Sequence, residues 1–194
     1  MATTNHEDIV DPYIHEPIGI AAASGFEVYV ADGLGSGDWT IPFAFAGIGL
    51  NDGDGTDTIS SIGTTAQKVT VFDHNTTFYG STPDYLTDSD ITIGANGVYI
   101  VTFTTSAATS AAGDAGVYQF RLRVNGSEPS SPNNIGARRE FSGTSDTGDL
   151  SFTSILTLST NDVLTVWVES DEAGNTDDLI IYECHLLVQM ARRT

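Results

Sequence analysis

Apolar and polar residues alternate in short runs along most of this chain. In VYQFRLRVNG, Tyr118, Phe120, Leu122 and Val124 fall on one side, with Gln119, Arg121 and Arg123 on the other. A period of two predicts a strand with one core face and one solvent face, and Asn125-Gly126 ends it with a dipeptide favoured in tight hairpins. Three more strands are predicted between Leu150 and Met190: SFTSILTLST, DVLTVWVES and DLIIYECHLLVQM. In the last, Ile180, Tyr182, Cys184, Leu186, Val188 and Met190 share an apolar face, expected to meet the core. Leu179, Ile181, Glu183, His185, Leu187 and Gln189 share a mixed face, expected to meet something drier than bulk water.

SDITIGANGVYIVTFTTSA reads as two strands divided at Ala95-Asn96-Gly97. In the second, Tyr99, Val101 and Phe103 oppose Val98, Ile100 and Thr102, so both faces carry apolar residues, as in a sandwich core or an oligomer seam. IPFAFAGIGL sets Ile41, Phe43 and Phe45 against small residues, and Gly47 and Gly49 predict a bulge or a close approach. QKVTVFD and ARREFSG are short strand candidates, the latter presenting Arg138 and Arg139. Pro83 excludes a central sheet position for its run. Roughly eight to ten strands, with no amphipathic helix, predict an all-β antiparallel jelly-roll sandwich. Residues 1–39 are different in character and read as an N-terminal arm ending in a Gly-rich hinge at Gly33 to Gly37, with the jelly-roll domain over 40–194. The arm's apolar residues Ile14, Ile18, Ile20, Phe26, Val28 and Val30 are the expected attachment points to a partner.

Charge narrows the partners. Asp and Glu number 26 against 7 Lys and Arg, a formal net charge of -19. That field repels phosphate polyanions, so no nucleic-acid partner is expected. MATTNHEDIV lacks the basic start and apolar run of a signal peptide, and no apolar stretch is long enough to span a bilayer, so no membrane partner is expected. The one cysteine, Cys184, allows no intrachain disulfide and reads as a small buried hydrophobe.

Catalytic chemistry is not indicated, and no cofactor is expected. His6, His15, His74 and His185 show no metal-ligand spacing, and Cys184 and His185 are adjacent in a strand, which points them to opposite faces. Asp52, Asp54 and Asp57 are weak calcium candidates on an oxygen-rich turn that lacks the Gly and closing Glu of the twelve-residue calcium loop. Asp171, Glu172, Asp177 and Asp178 form a second acidic loop with the same shortcoming.

Gly97 and Tyr99, Asn125 and Gly126, Leu158, Asp162 and Val163, and the closing run from Leu179 occur in an order that resembles the globular head domain of the tumour-necrosis-factor and complement superfamily, over about residues 67 to 190. The chain departs from that pattern at Ile181-Tyr182-Glu183-Cys184, where the family carries a Phe-Gly pair. PIGIAAASGFEVYVADGLGSGDWT resembles leaders in structural proteins of tailed bacteriophages. Together these resemblances imply a homotrimeric, non-enzymatic virion protein on the outer surface of the capsid, a decoration (cement) or head-fibre protein held on the major capsid protein by its arm. Tyr99, Val101, Phe103, Arg121, Arg123, Trp167, Tyr182 and Leu187 are the expected trimer interface, the opposite-face neighbours Val98, Ile100 and Thr102 standing as the alternative to the first three, with Arg121 and Arg123 pairing to acids of a neighbouring subunit. The rival reading is a tail-fibre or receptor-binding module for host surface glycans, using the loops Asn75 to Tyr85 and Ser127 to Gly136.

Overall fold

The structure, a computed structural model, describes residues 28–31, 37–40, 43–51, 54–110, 116–129, 135–142, 146–172 and 177–193. These divide after Pro42 into two units. In the first, β1 (Val28–Ala31) and β2 (Gly37–Thr40) form an antiparallel ribbon, Val28 opposite Thr40. Gly37, expected in the hinge, thus begins a strand.

The second unit is a sandwich of two antiparallel sheets. Its strands are β3 (Phe45–Asn51), β4 (Asp57–Ile59), β5 (Gln67–Lys68), β6 (His74–Asn75), β7 (Ser81–Asp84), β8 (Asp90–Ile93), β9 (Gly97–Thr109), β10 (Val117–Val124), β11 (Gly136–Glu140), β12 (Gly148–Leu158), β13 (Val163–Ser170) and β14 (Leu179–Arg193). One sheet runs β12-β9-β14-β3-β6, with β4 beside β14; the other runs β11-β10-β13-β8-β7, with β5 beside β13. Pro83 lies in the edge strand β7, where a missing amide costs no ladder bond.

The core is one cluster between the sheets, and Phe103 stands at its centre. Its ring lies 5.5 Å from Phe120 of the opposite sheet and 5.3 Å from Phe152 on the neighbouring strand. Tyr118, Phe120 and Leu122 point inward as their alternation predicts. Tyr99 brings a hydroxyl into the core and satisfies it by donating to the Ala95 carbonyl at 2.6 Å.

Two turns account for the pattern around Asn125. Asn125 and Gly126 both have positive φ, 53° and 77°, the backbone of a two-residue hairpin turn. The Asn125 side chain then donates to Asp162 at 2.8 Å and accepts from the Val163 amide at 2.9 Å. Residues distant in sequence are thereby locked at one end of the sandwich.

The last strand departs from its expected phase. Pairing of β14 with β9 is interrupted by a bulge between Ile181 and Glu183. Because one extra residue reverses the alternation, Leu179 and Ile181 are buried before the bulge, and Cys184, Leu186, Val188 and Met190 after it. Ile180 and Tyr182, expected on the core face, are not buried. The bulge falls where the sequence departs from the superfamily pattern. Tyr182 turns to Gly55, where an added Cβ would stand 2.6 Å from the ring; Gly55, at φ 73°, suits both the turn and the approach.

Candidate functional site

The outward face of the β12-β9-β14-β3 sheet is built in four rows by strand register. The first crosses Asp149, Ser106, Glu183 and Asn51; the second Ser151, Thr104, His185, Gly49 and, on β6, His74; the third Thr153, Thr102, Leu187 and Gly47. The fourth is Ile155, Ile100, Gln189 and Phe45, with Tyr79 bridged to Phe45. The face therefore grades from acidic through hydroxyl-rich to apolar. Ile155 is 66% exposed, Leu187 43% and Ile100 37%. Phe43, stacked on Phe45 at 6.2 Å, extends the apolar end.

No Lys or Arg occurs in β3, β9 or β12, and those of β14 are at its end, Arg192 and Arg193. Small residues flatten the surface. Leu187 lies over Gly47, whose Cβ would meet Leu187 Cδ2 at 2.4 Å, and His185 and His74 close on Gly49 in the same way. The close approach expected at these glycines is present, and β3 keeps an unbroken register with β14 from Asn51 to Phe45, with no bulge. Ala44 and Ala46 face inward, which leaves Phe43 and Phe45 on the outer side. Two shallow depressions mark the face, one of about 390 Å³ bordered by Thr104, Asp149, Ser151, Glu183 and His185, the other of about 320 Å³ bordered by Phe45, Thr76, Leu187 and Gln189.

The other sheet presents a different exterior. Arg121 pairs with Glu128 at 2.8 Å and Glu169 at 3.2 Å and donates to Gln119 at 2.8 Å, all within the same chain. Arg123 lies 4.1 Å above the Trp167 ring, a cation–π contact. Lys68 pairs with Asp90 and donates to the Asp88 carbonyl.

The residues expected at a single trimer seam are thus spread over three places. Tyr99, Val101 and Phe103 are wholly buried between the sheets and present no surface; their strand neighbours Ile100, Thr102 and Thr104 point outward. The larger aromatic side chains took the interior because burying them removes more apolar area from water. Arg121, Arg123 and Trp167 lie on the opposite sheet, and Arg121 pairs with Glu128 and Glu169 of its own chain. Tyr182 sits at the bulge against Gly55. Leu187 alone of the eight lies on the neutral face. Ile100 was named in sequence only as an opposite-face alternative to Tyr99, Val101 and Phe103, and Ile155 and Gln189 were not singled out, because period-two alternation gives relative sidedness but not which side meets the opposite sheet.

The remaining site expectations are placed as follows. Ile14, Ile18, Ile20 and Phe26 lie outside the described residues, and Val28 and Val30 belong to β1, opposite Thr40 and Asp38. Asp52 also lies outside them. Asp54 accepts from the Thr56 amide at 3.0 Å and its hydroxyl at 2.8 Å, which spends one carboxylate oxygen on a local turn. Asp57 is in β4. Among the described residues no three His, Cys, Asp or Glu side chains are grouped to hold a metal ion. Cys184 is buried; burial first, then Asp73 and Asp57, push its thiol far above the ordinary range, so it supplies no thiolate.

No family model and no curated protein matches the chain. Solved structures do. The Eiger TNF of S. frugiperda aligns with 79% of this chain and 95% of its own at 11% identity, with a TM-score of 0.55. The globular domain of zebrafish complement 1qA aligns with 78% and 98% at 15% identity, with a TM-score of 0.51. The fold is a jelly roll of the tumour-necrosis-factor and complement type. At these identities the likeness speaks for the fold, and neither structure bears on the resemblance of the N-terminal segment to phage leaders.

Proposed function

We propose that the protein is a non-enzymatic structural module that assembles with copies of itself through the outward face of the β12-β9-β14-β3 sheet. The supporting observation is the face itself. A chain of net charge -19 repels its copies, and this sheet gathers Ile100, Ile155, Leu187 and Phe45 with threonines and glycines on a surface whose charges are confined to its ends, Asp149 and Glu183 at one and Arg192 and Arg193 at the other. Charge depletion with exposed apolar side chains is the signature of an interface core. On the opposite sheet Lys68, Arg121, Arg123 and Arg139 already have partners in their own chain.

Three copies is the number that the superfamily resemblance implies. The N-terminal residues 1–39 would then fix the trimer to a larger particle, for which their resemblance to tailed-phage leaders implies a capsid; on this reading the protein is a decoration or head-fibre protein on the outer surface of a virion. A protein that binds only the assembled shell stabilises it by linkage. The test combines light-scattering mass with co-sedimentation on capsids. A trimer that sediments with shells, and loses that property when residues 2–38 are deleted while remaining trimeric, supports both parts. A monomer at micromolar concentration overturns the self-association. Binding to host glycan in place of capsids moves the attachment role to the exposed loops.

A further inference from the structure

Two histidines far apart in sequence meet on the neutral face. His185 on β14 and His74 on β6 stand in register with Gly49 on the strand between them, their ring centroids 6.1 Å apart and their planes at 69°. A Cβ at Gly49 would lie 2.5 Å from Nδ1 of His185 and 2.9 Å from Cε1 of His74. Glycine therefore leaves the space into which both rings lean, Nδ1 of His185 being the ring atom nearest to it, and the two rings stand edge to face. Asp73 is bonded to Nδ1 of His74. A carboxylate on the rear nitrogen fixes the tautomer of a metal-binding imidazole, directs the lone pair to Nε2 and raises its donor strength. Neither ring is buried. The nearby acids Asp73 and Glu183 favour a cation, and no Lys or Arg of β3, β9 or β12 opposes one.

We propose that Nδ1 of His185 and Nε2 of His74 bind one divalent cation of the zinc, nickel or copper class, with water in its remaining positions. Imidazole nitrogen suits these metals, whereas magnesium and calcium prefer oxygen. Metal–nitrogen bonds of about 2.0–2.1 Å require the rings to close slightly, which surface side chains achieve by rotation. With two protein ligands the site exchanges its metal readily. It is complete in one chain and does not rest on the self-association reading.

The test uses the full chain, stripped with chelator and titrated with Cu2+ by calorimetry and electron paramagnetic resonance. The expected result is one ion per chain with two nitrogen ligands. His185→Gln and His74→Gln should each weaken binding by about tenfold or more and leave one ligand nitrogen, while Asp73→Asn weakens it by about tenfold through its partner. Gly49→Ala should weaken binding with both ligands still present, because the added methyl occupies the space between the rings. His6→Gln and His15→Gln should change nothing. The proposal is overturned if Cu2+ fails to bind, if either ring can be removed without loss of affinity, or if binding follows His6 and His15 instead. Circular dichroism of each variant separates loss of a ligand from loss of fold.

Discussion

The two sheets share one core and differ in what they show to the outside. On the β11-β10-β13-β8-β7 sheet, Arg121 is held by Glu128, Glu169 and Gln119, and Arg123 by Trp167. On the β12-β9-β14-β3 sheet, threonine, serine and glycine surround Ile100, Ile155 and Leu187, and Thr102 and Thr153 bond across strands at 3.2 Å. Charges satisfied within the chain, as at Arg121 and Arg123, gain little from a neighbour. A surface that exposes apolar area with its charges held to the ends gains from any copy that covers it. The same alternation of inward and outward residues therefore produced a closed exterior on one side of the core and an open one on the other.

The largest effect should come from the element both sheets share. Phe103→Ala removes the ring that touches Phe120 and Phe152, at a cost of about 3–5 kcal/mol. A melting temperature lowered by roughly 10 °C, with both faces affected together, is the expected result; a change under about 1 kcal/mol would mean the sheets are not joined through this ring.

A smaller effect, confined to the neutral face, is expected for Gly47→Val. Its side chain would displace Leu187 and Thr76 and press on the Leu186 carbonyl, 3.2 Å from the new Cβ. Overpacking of this kind costs about 1–3 kcal/mol in denaturant titrations, with the Arg121 ion pairs left intact.

Arg121→Ala, on the opposite sheet, should cost only about 1 kcal/mol, because its partly exposed ion pairs are screened by solvent. Urea denaturation of this variant at low and high salt checks it: the difference from the parent should shrink as salt rises.

The smallest effect is in acid. Asp146 accepts from the Ser142 amide and from Arg139, each at 2.9 Å, and these bonds, the amide first, hold its carboxyl below the ordinary 3.8. A depressed folded value gives stability that is present above pH 3.8 and is lost as pH falls through the lowered value. Asp146→Asn should therefore flatten the melting-temperature profile below about pH 4, where carboxylates titrate, and leave the neutral face unchanged.

Much of this contrast was legible in sequence, and its gaps have physical causes. Tyr118, Phe120 and Leu122 alternate with charged residues, which leaves one side for the core. In β9 both sides are apolar, so alternation did not say whether Tyr99 and Phe103 or Ile100 faced inward; the opposing sheet decided it. In β14 the apolar residues Leu179, Ile180, Ile181 and Tyr182 fit either phase, so the bulge after Ile181 left no mark in the hydrophobic pattern. His74 and His185 meet only because β6 and β14 flank the same strand. No local spacing records that. Nor did local sequence show that Arg121 would find Glu128 and Glu169 in its own chain.

The central claim is that the neutral face, and not the charged one, joins copies of this chain. The most direct measurement is solution mass by light scattering for the parent protein, an Ile100→Asp and Ile155→Asp double variant, and Arg121→Ala. Adding two carboxylates to the neutral face should give a folded monomer, whereas the parent and Arg121→Ala remain assembled with three times the chain mass. An assembled Ile100→Asp and Ile155→Asp protein, or an Arg121→Ala protein reduced to a monomer, would contradict the account.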